Sequence, residues 1–84
     1  MRVQFDNNAV GETIREARKK RGLSQDVLSG LAGLGRTHLS MIELGDKQPN
    51  FETIWKIALA LNLKPSELVA QIEQHIIDKN ESGI

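Results

Sequence analysis

The stretch that decides the fold is Leu23–Gly45, which reads LSQDVLSGLAGLGRTHLSMIELG. Ser24 is a favourable N-cap residue, so a helix is expected to begin there. Gly33 ends this helix, because glycine readily adopts the left-handed conformation that closes a helix. A second helix with an apolar inner face follows the turn. The stretch therefore predicts a helix, a tight turn and a second helix over residues 24–44.

The outward face of the second helix carries side chains that suit contact with a partner. They are Arg36, Thr37, His38, Ser40 and Met41. A helix with such a face, supported from behind by another helix, fits the major groove of B-form DNA. Reading of a DNA sequence is therefore the leading hypothesis.

The rest of the chain predicts three more helices and no strand, which makes the fold class an all-α, compact five-helix bundle. We expect these helices over about residues 10–21, 51–61 and 65–78. Asn7 or Asn8 is expected to cap the first of them, and Asn50 the second. The second has two adjacent apolar stripes, which indicate a central, buried helix. The tail from Lys79 onward is expected to be frayed.

The composition limits the class of protein. Eighty-four residues make one domain with a small core. The absence of cysteine excludes disulfides and zinc–thiolate sites, and it agrees with a reducing cytoplasm. No apolar run reaches the roughly 20 residues that span a bilayer, and the first residues lack the apolar stretch of a signal peptide. With no tyrosine and two distant histidines, we expect no catalytic residues, no metal and no cofactor.

The formal net charge is zero, but the charges are unevenly distributed. Residues 1–50 carry eight Lys or Arg and six Asp or Glu, whereas residues 51–84 carry three and five. The densest basic cluster comprises Arg15, Arg18, Lys19, Lys20 and Arg21. This asymmetry is compatible with DNA contact by one end of the molecule, although such clusters are usually solvated helix faces.

Several motifs stand in the order and spacing of a known family. They are GETIREAR at residues 11–18, GLSQ at 22–25, LSMIELG at 39–45, QPNF at 48–51 and ALALNL at 58–63. With them, residues 10–69 resemble the phage Cro/repressor-type helix-turn-helix domains, often called the Xre family. The resemblance implies a lambda-repressor-like domain over 10–69 that binds operator DNA as a dimer, and a C-terminal extension over 70–84.

The resemblance also implies which residues contact DNA. The base-reading residues are expected to be Arg36, Thr37, His38, Ser40 and Met41. The phosphate-binding residues are expected to be Gln25, Lys47, Gln48 and Asn50. Arg36 has the reach for a bidentate contact with guanine, and Gln25 begins a helix, where free amides favour an anion. The alternative is that Arg36 and His38 are merely solvated helix residues.

Two structural roles complete the expectations. In the family a glutamate on the third helix pairs with an arginine on the first, which implies a structural ion pair between Glu43 and Arg18. The last two helices carry more apolar residues than one small core needs, which predicts a dimer interface. Its residues are expected to be Phe51, Trp55, Leu59, Ile72, Ile76 and Ile77. Leu68 and Val69 are expected to pack inside the monomer, and the alternative is that all of these residues do so.

Three functions remain to be compared. The first is a homodimeric transcription regulator that binds double-stranded DNA, such as a phage repressor, a restriction–modification controller or an antitoxin. The sequence does not separate these three, and a small stand-alone regulator of the controller kind is the preferred guess. The second is a protein-interaction module that has kept the fold without DNA binding. The third, an enzyme, has no support in the residues. We expect no membrane partner and no small-molecule ligand.

Overall fold

The computed structural model describes residues 3–82. Its helices are α1 (Asn7–Lys20), α2 (Gln25–Ala32), α3 (Arg36–Glu43), α4 (Phe51–Ala60) and α5 (Pro65–Ser82). No strand occurs in this part of the chain, which confirms the predicted all-α class with five helices. None of these helices combines the length and the apolar character needed to cross a membrane.

The start of α1 differs from the prediction. Asp6, not Asn7 or Asn8, is the N-cap, because its carboxylate accepts hydrogen bonds from the amides of Asn8 and Ala9 at 2.9 and 3.3 Å. Asn7 instead donates its side-chain amide to the carbonyl oxygen of Gly45, 3.0 Å away. Since aspartate and asparagine both cap helices well, local preference could not choose among these three residues.

The predicted starts of α2 and α4 and the predicted end of α2 agree closely with the structure. Ser24 accepts a hydrogen bond from the amide of Val27 at 3.1 Å, and Asn50 accepts one from Thr53 at 2.8 Å. Gly33 has a φ of 69°, so it provides the left-handed residue that turns the chain from α2 toward α3. The helix-turn-helix therefore lies where the sequence predicts it.

The core draws on all five helices. Its largest fully buried side chains are Ile14, Leu28, Leu39, Ile42, Ile57, Leu61 and Leu68. Burying each such side chain contributes about 1.5–3 kcal/mol, so these contacts supply much of the stability of a small domain. Two of the seven lie on α3, which fixes that short helix to the rest of the bundle.

Helix α4 is not the central, buried helix that its two stripes predict. One face, which includes Ile54 and Ile57, lies in the core. Phe51, Trp55 and Leu59 on the other stripe are 69%, 48% and 58% exposed. The reason is that α4 packs mainly against α2 and α5, and within residues 3–82 these contacts leave the second stripe largely uncovered.

Helix α5 also differs from expectation at several residues. Val69 is exposed rather than packed inside, whereas Ile72 and Ile76 are each only 8% exposed and belong to the core. These two isoleucines therefore have little surface left for a second copy of the chain, which corrects their assignment to a dimer interface. Ile77 is partly exposed.

The expected fraying from Lys79 is wrong for residues 79–82, because α5 continues through Ser82. Lys79 forms ion pairs of 3.2 Å with Asp6 and with Glu12, and His75 lies 3.0 Å from the same Glu12 carboxylate. These contacts hold the C-terminal half of α5 against α1. Residues 83 and 84, the end of the predicted tail, lie outside the described residues.

Candidate nucleic-acid interface

Helix α3 is anchored on one side and open on the other. It packs against α1 and α2, with Leu39 and Ile42 fully buried. On the opposite side Arg36, Thr37 and Met41 are exposed, and His38 and Ser40 are half-buried. An α-helix with its side chains is about 10–12 Å in diameter, and a B-DNA major groove of about 12 Å width admits it. The five sequence-predicted base-reading residues thus share one accessible face.

The Arg18 and Glu43 side chains form a buried fork. Nε and Nη2 of Arg18 donate to Oε2 and Oε1 of Glu43 at 2.8 and 3.0 Å, and Nη1 donates to the carbonyl oxygen of Leu23 at 2.8 Å. The hydrogen bonds with Glu43 raise the pKa of the Arg18 guanidinium. The structure therefore brings together the two residues expected to pair, and their contacts join α1, α3 and the residue before the α2 cap.

Gln25, the first residue of α2, has a contact that the sequence analysis missed. Its Nε2 donates to Oε1 of Glu43 at 3.0 Å, so the side chain is attached to the same carboxylate as Arg18. An amide nitrogen has two hydrogens, which leaves one for a further acceptor. Binding of a phosphate by Gln25 stays a prediction, and the contact with Glu43 limits the orientations that its amide can adopt.

The loop between α3 and α4 places the other expected phosphate-binding residues. Lys47 and Gln48 are exposed there, next to the end of α3. Asn50 is also exposed, but its side-chain oxygen is used as the cap of α4, so only its amide group is available as a donor. The loop is held to α1 through the hydrogen bond from Asn7 to Gly45.

The end of α3 lies very close to α1. A Cβ atom added to Gly11 would meet the carbonyl oxygen of Ile42 and would lie 2.7 Å from that of Glu43. Because those atoms belong to the backbone, they cannot move aside as a flexible side chain would. Glycine at position 11 therefore permits the approach that sets the position of α3 on its support.

Arg36 has a partner that sequence reasoning did not find. Its Nε lies 3.3 Å from Oδ1 of Asp26, and the two side chains are 65% and 70% exposed. The two residues occupy the first turns of α3 and α2, which the turn between these helices brings together. Asp26 and Arg36 lie on different helices, so no local spacing in the sequence indicates that they pair.

The exposed stripe of α4 belongs to a larger apolar surface. The rings of Phe51 and Trp55 meet edge to face, with their centroids 6.1 Å apart. Phe51 also lines an open groove together with Phe5 and Val69. Sequence reasoning missed Phe5 in this place, because no motif connects the segment before α1 with α4 and α5.

The described residues show no candidate metal centre. Within residues 3–82, no group of three or more histidine, aspartate or glutamate residues is arranged to hold a metal ion. The acidic and basic groups that do cluster, such as Glu12 with His75 and Lys79, are paired with one another across α1 and α5.

Comparison with known proteins gives consistent matches. The helix-turn-helix family HTH_3 matches residues 14–68. The ImmF control region 10 kDa protein of Bacillus phage phi105 is 36% identical over 59 residues, which are 70% of this chain and 66% of that protein. Control protein C.BamHI of Bacillus amyloliquefaciens is 35% identical over 60 residues, which are 70% of this chain and 74% of that protein.

A solved structure shares both the fold and part of the sequence. The restriction-modification controller protein C.AhdI from Aeromonas hydrophila superposes with a TM-score of 0.73 at 38% identity, covering 75% of this chain and 96% of that one. The family match spans more than half of the chain and includes the whole of α2, α3 and α4. The chain therefore belongs to the helix-turn-helix family HTH_3.

Proposed function

We propose that this protein regulates transcription by binding double-stranded DNA as a homodimer, with α3 of each copy in the major groove of one half of an inverted-repeat operator. The observation that carries the proposal is the asymmetry of α3. Its inner side is locked by buried leucine, isoleucine and glutamate side chains, while its outer side is open to a partner. The family membership and the controller and phage relatives support the same function.

In this proposal the exposed residues of α3 read base edges. Arg36 donates to O6 and N7 of a guanine, and a good bidentate contact of this kind discriminates by about 1–3 kcal/mol. Thr37 and Met41 contact thymine methyl groups, and Ser40 contacts a base or a phosphate. His38, at the edge of the face and half-buried, has the least freedom to reach a base.

Phosphate contacts set the position of the protein on the duplex. Gln25 contributes its second amide hydrogen together with the free backbone amides at the start of α2. Lys47 adds a positive charge, and Gln48 and Asn50 add neutral donors from the loop after α3. Since Gln25 also binds Glu43, this phosphate contact is connected to the fork that holds α3.

A single helix contacts few base pairs, so a second copy is needed for a long site. Two recognition helices about 34 Å apart fit successive turns of one face of the duplex. The surface proposed to join the copies is the exposed stripe of α4, with Phe5, Val69 and Ile77 beside it. Large exposed apolar residues in one area are typical of an association surface.

We assign the protein to the small regulators rather than to the enzymes, and we place its action where the DNA is, in the cytoplasm. The proteins it resembles include the restriction-modification controller protein C.AhdI, the control protein C.BamHI and a protein of a phage control region. A controller-like or phage-type regulator is therefore the subtype we propose.

A second candidate is a helix-turn-helix domain that binds protein partners only. It is favoured by the balanced charge of eleven basic and eleven acidic residues, since DNA-binding domains are often strongly basic. It is also compatible with the exposed stripe of α4, which either function would use.

Selection from random duplexes, followed by mobility shifts, distinguishes these candidates. DNA-binding regulation predicts enrichment of a short inverted repeat, with guanine opposite Arg36, and Arg36→Ala should weaken binding to it by about 1–3 kcal/mol. Arg15→Ala, on α1, serves as the control and should leave the preferred sequence unchanged. If no sequence is enriched and the protein fails to shift any duplex at low salt, the protein-interaction function replaces this proposal.

A further inference from the structure

The pairing of Asp26 with Arg36 places a carboxylate beside the one Lys or Arg residue of α3. The contact joins Oδ1 of Asp26 to Nε of the guanidinium at 3.3 Å, and both side chains remain largely exposed. A guanidinium whose Nε lies beside a carboxylate still has both terminal nitrogens, Nη1 and Nη2, available as donors. Those two donors match the O6 and N7 acceptors of guanine.

We propose that Asp26 is a specificity-determining positioning residue, which holds Arg36 for base reading and opposes sequence-independent attachment of α3 to phosphates. The inference rests on the proposed function, because it requires that α3 enters a DNA groove. A free arginine on a helix surface has many rotamers and binds phosphate as readily as a base. A carboxylate partner restricts those rotamers. It also offsets the positive charge of the guanidinium, which would otherwise attract a phosphate.

The position of Asp26 strengthens its effect on phosphates. It lies in the first turn of α2, next to Gln25, where free amides would otherwise favour an anion. The Asp26 carboxylate repels a phosphate that approaches Arg36, so a duplex that offers Arg36 no guanine gains little from that contact. The effect is therefore on the ratio of specific to non-specific affinity rather than on affinity alone.

The test compares the wild-type protein with Asp26→Asn, Asp26→Glu, Arg36→Ala and the Asp26→Asn/Arg36→Ala double variant. Each is measured on the selected operator, on the operator with the guanine opposite Arg36 replaced, and on a mixed-sequence duplex, at several salt concentrations. We expect Asp26→Asn to bind the mixed-sequence duplex more tightly and to lower the guanine preference about two- to fivefold. Asp26→Glu should restore the preference, and Asp26→Asn should not change it in the Arg36→Ala background.

A matched control separates this role from a general charge effect. Glu16→Gln removes one negative charge from the exposed surface of α1 and should leave the guanine preference unchanged. The inference is overturned if Asp26→Asn keeps the wild-type preference, or if the preference falls equally with and without Arg36. Melting temperatures show whether α2 itself is altered. If the wild-type protein has no sequence preference at all, the proposed function fails first, and this inference fails with it.

Discussion

At the scale of single residues, the Glu43 side chain connects α3 to both α1 and α2. Its side chain is only 2% exposed, yet it accepts two hydrogen bonds from Arg18 and one from Gln25. This buried charge is tolerable because its hydrogen-bond partners satisfy it. If either Arg18 or Glu43 is removed, the charge of the other is left unpaired in the interior. The network also connects the scaffold, the recognition helix and a proposed phosphate contact.

We therefore expect Glu43→Ala to lower the free energy of unfolding by about 3 kcal/mol or more, because Arg18 would remain buried without a counter-charge. DNA affinity should fall with it, since α3 loses its attachment to α1. Thermal denaturation and mobility shifts measure the two effects. Glu16→Ala, which removes an exposed carboxylate from α1, should change neither by more than a few tenths of a kcal/mol. Loss of DNA affinity with an unchanged melting temperature would show that Glu43 acts at the DNA directly.

At the scale of helices, the position of α3 depends on the contact between α1 and the C-terminal end of α3. Gly11 is buried there against the carbonyl oxygens of Ile42 and Glu43. Gly30 in α2 offers a comparison, because a Cβ added to it would meet nothing within 4 Å. Both glycines lie inside helices, so propensity alone treats them alike.

The expected outcome is that Gly11→Ala destabilises the domain and displaces α3, whereas Gly30→Ala stabilises it by about 0.5–1 kcal/mol. The first substitution forces two helix backbones apart, and the second only removes the entropic cost of glycine in a helix. Chemical denaturation gives the stabilities, and operator affinity reports the position of α3. Equal stabilisation by both substitutions would rule out the close approach that the structure shows.

The attachment of α5 to α1 depends on charge and therefore on pH. Hydrogen bonding to Lys79 lowers the pKa of Asp6, and hydrogen bonds with His75 and Lys79 lower that of Glu12. Both carboxylates raise the pKa of Lys79. Since the folded carboxylates hold their protons less tightly than the unfolded ones, their stabilisation is present above their ordinary pKa values of 3.8 and 4.5 and is lost as the pH falls through the lowered values.

Lys79→Met should accordingly lower the melting temperature between pH 4.5 and pH 10.5, which are the ordinary pKa values of Glu12 and Lys79. Below pH 4.5 the difference in melting temperature from the wild type should shrink as the carboxylates take up protons. A series of thermal melts from pH 3 to pH 8 measures this convergence. Lys56→Met, at an exposed position of α4, controls for the loss of a lysine and should show no such pH dependence. A difference that stays constant across the series would exclude the carboxylates as the partners that matter.

At the scale of the whole molecule, the structure separates apolar residues that form the core from those that remain outside it. Ile72 and Ile76 lie in the core, so removing the chain after Gln71 would destabilise the monomer and could not test association by itself. Leu59, at 58% exposure, can be changed without disturbing the core. It therefore tests the dimer surface more directly than α5 does.

We expect Leu59→Glu to shift the protein from dimer to monomer and to weaken operator binding, because a charge on each copy would be buried against the other. The monomer itself should stay folded. Leu31→Glu, at a similarly exposed leucine of α2, should leave the dimer intact, and Ile76→Ala should instead reduce stability by about 2–5 kcal/mol. Analytical ultracentrifugation and thermal melts record these outcomes. A Leu59→Glu protein that remains dimeric at micromolar concentration would exclude the α4 stripe from the interface.

Much of the fold could be predicted because the signals that define helices are local. Ser24, Gly33 and Asn50 act through hydrogen bonds and backbone conformations that involve residues only a few positions away. The same applies to the periodicity that puts Leu39 inside and Arg36 outside on α3. The helix-turn-helix and its outward face could therefore be placed from the residues alone.

Local signals could not assign apolar stripes to the core or to the surface. Trp55 and Ile76 both have helical spacing to other apolar residues, but only Ile76 has neighbours from other helices that cover it. Local signals also could not predict the contact between Gln25 and Glu43 or the one between Asp26 and Arg36, because the two residues of each pair lie on different helices. Burial and pairing depend on which helices meet and at what distance, and that is a property of the packed chain.

The order of the amino acids was therefore enough to establish five helices, the caps of α2 and α4 and the accessible face of α3, because each follows from contacts within a few residues. The packing of the helices alone settled which apolar stripe is covered, how Glu43 is satisfied and which side chain accompanies Arg36 on the exposed side of α3. These features arise from contacts between residues distant in the chain, such as Arg18 with Glu43, and only the folded arrangement brings such residues within hydrogen-bonding distance.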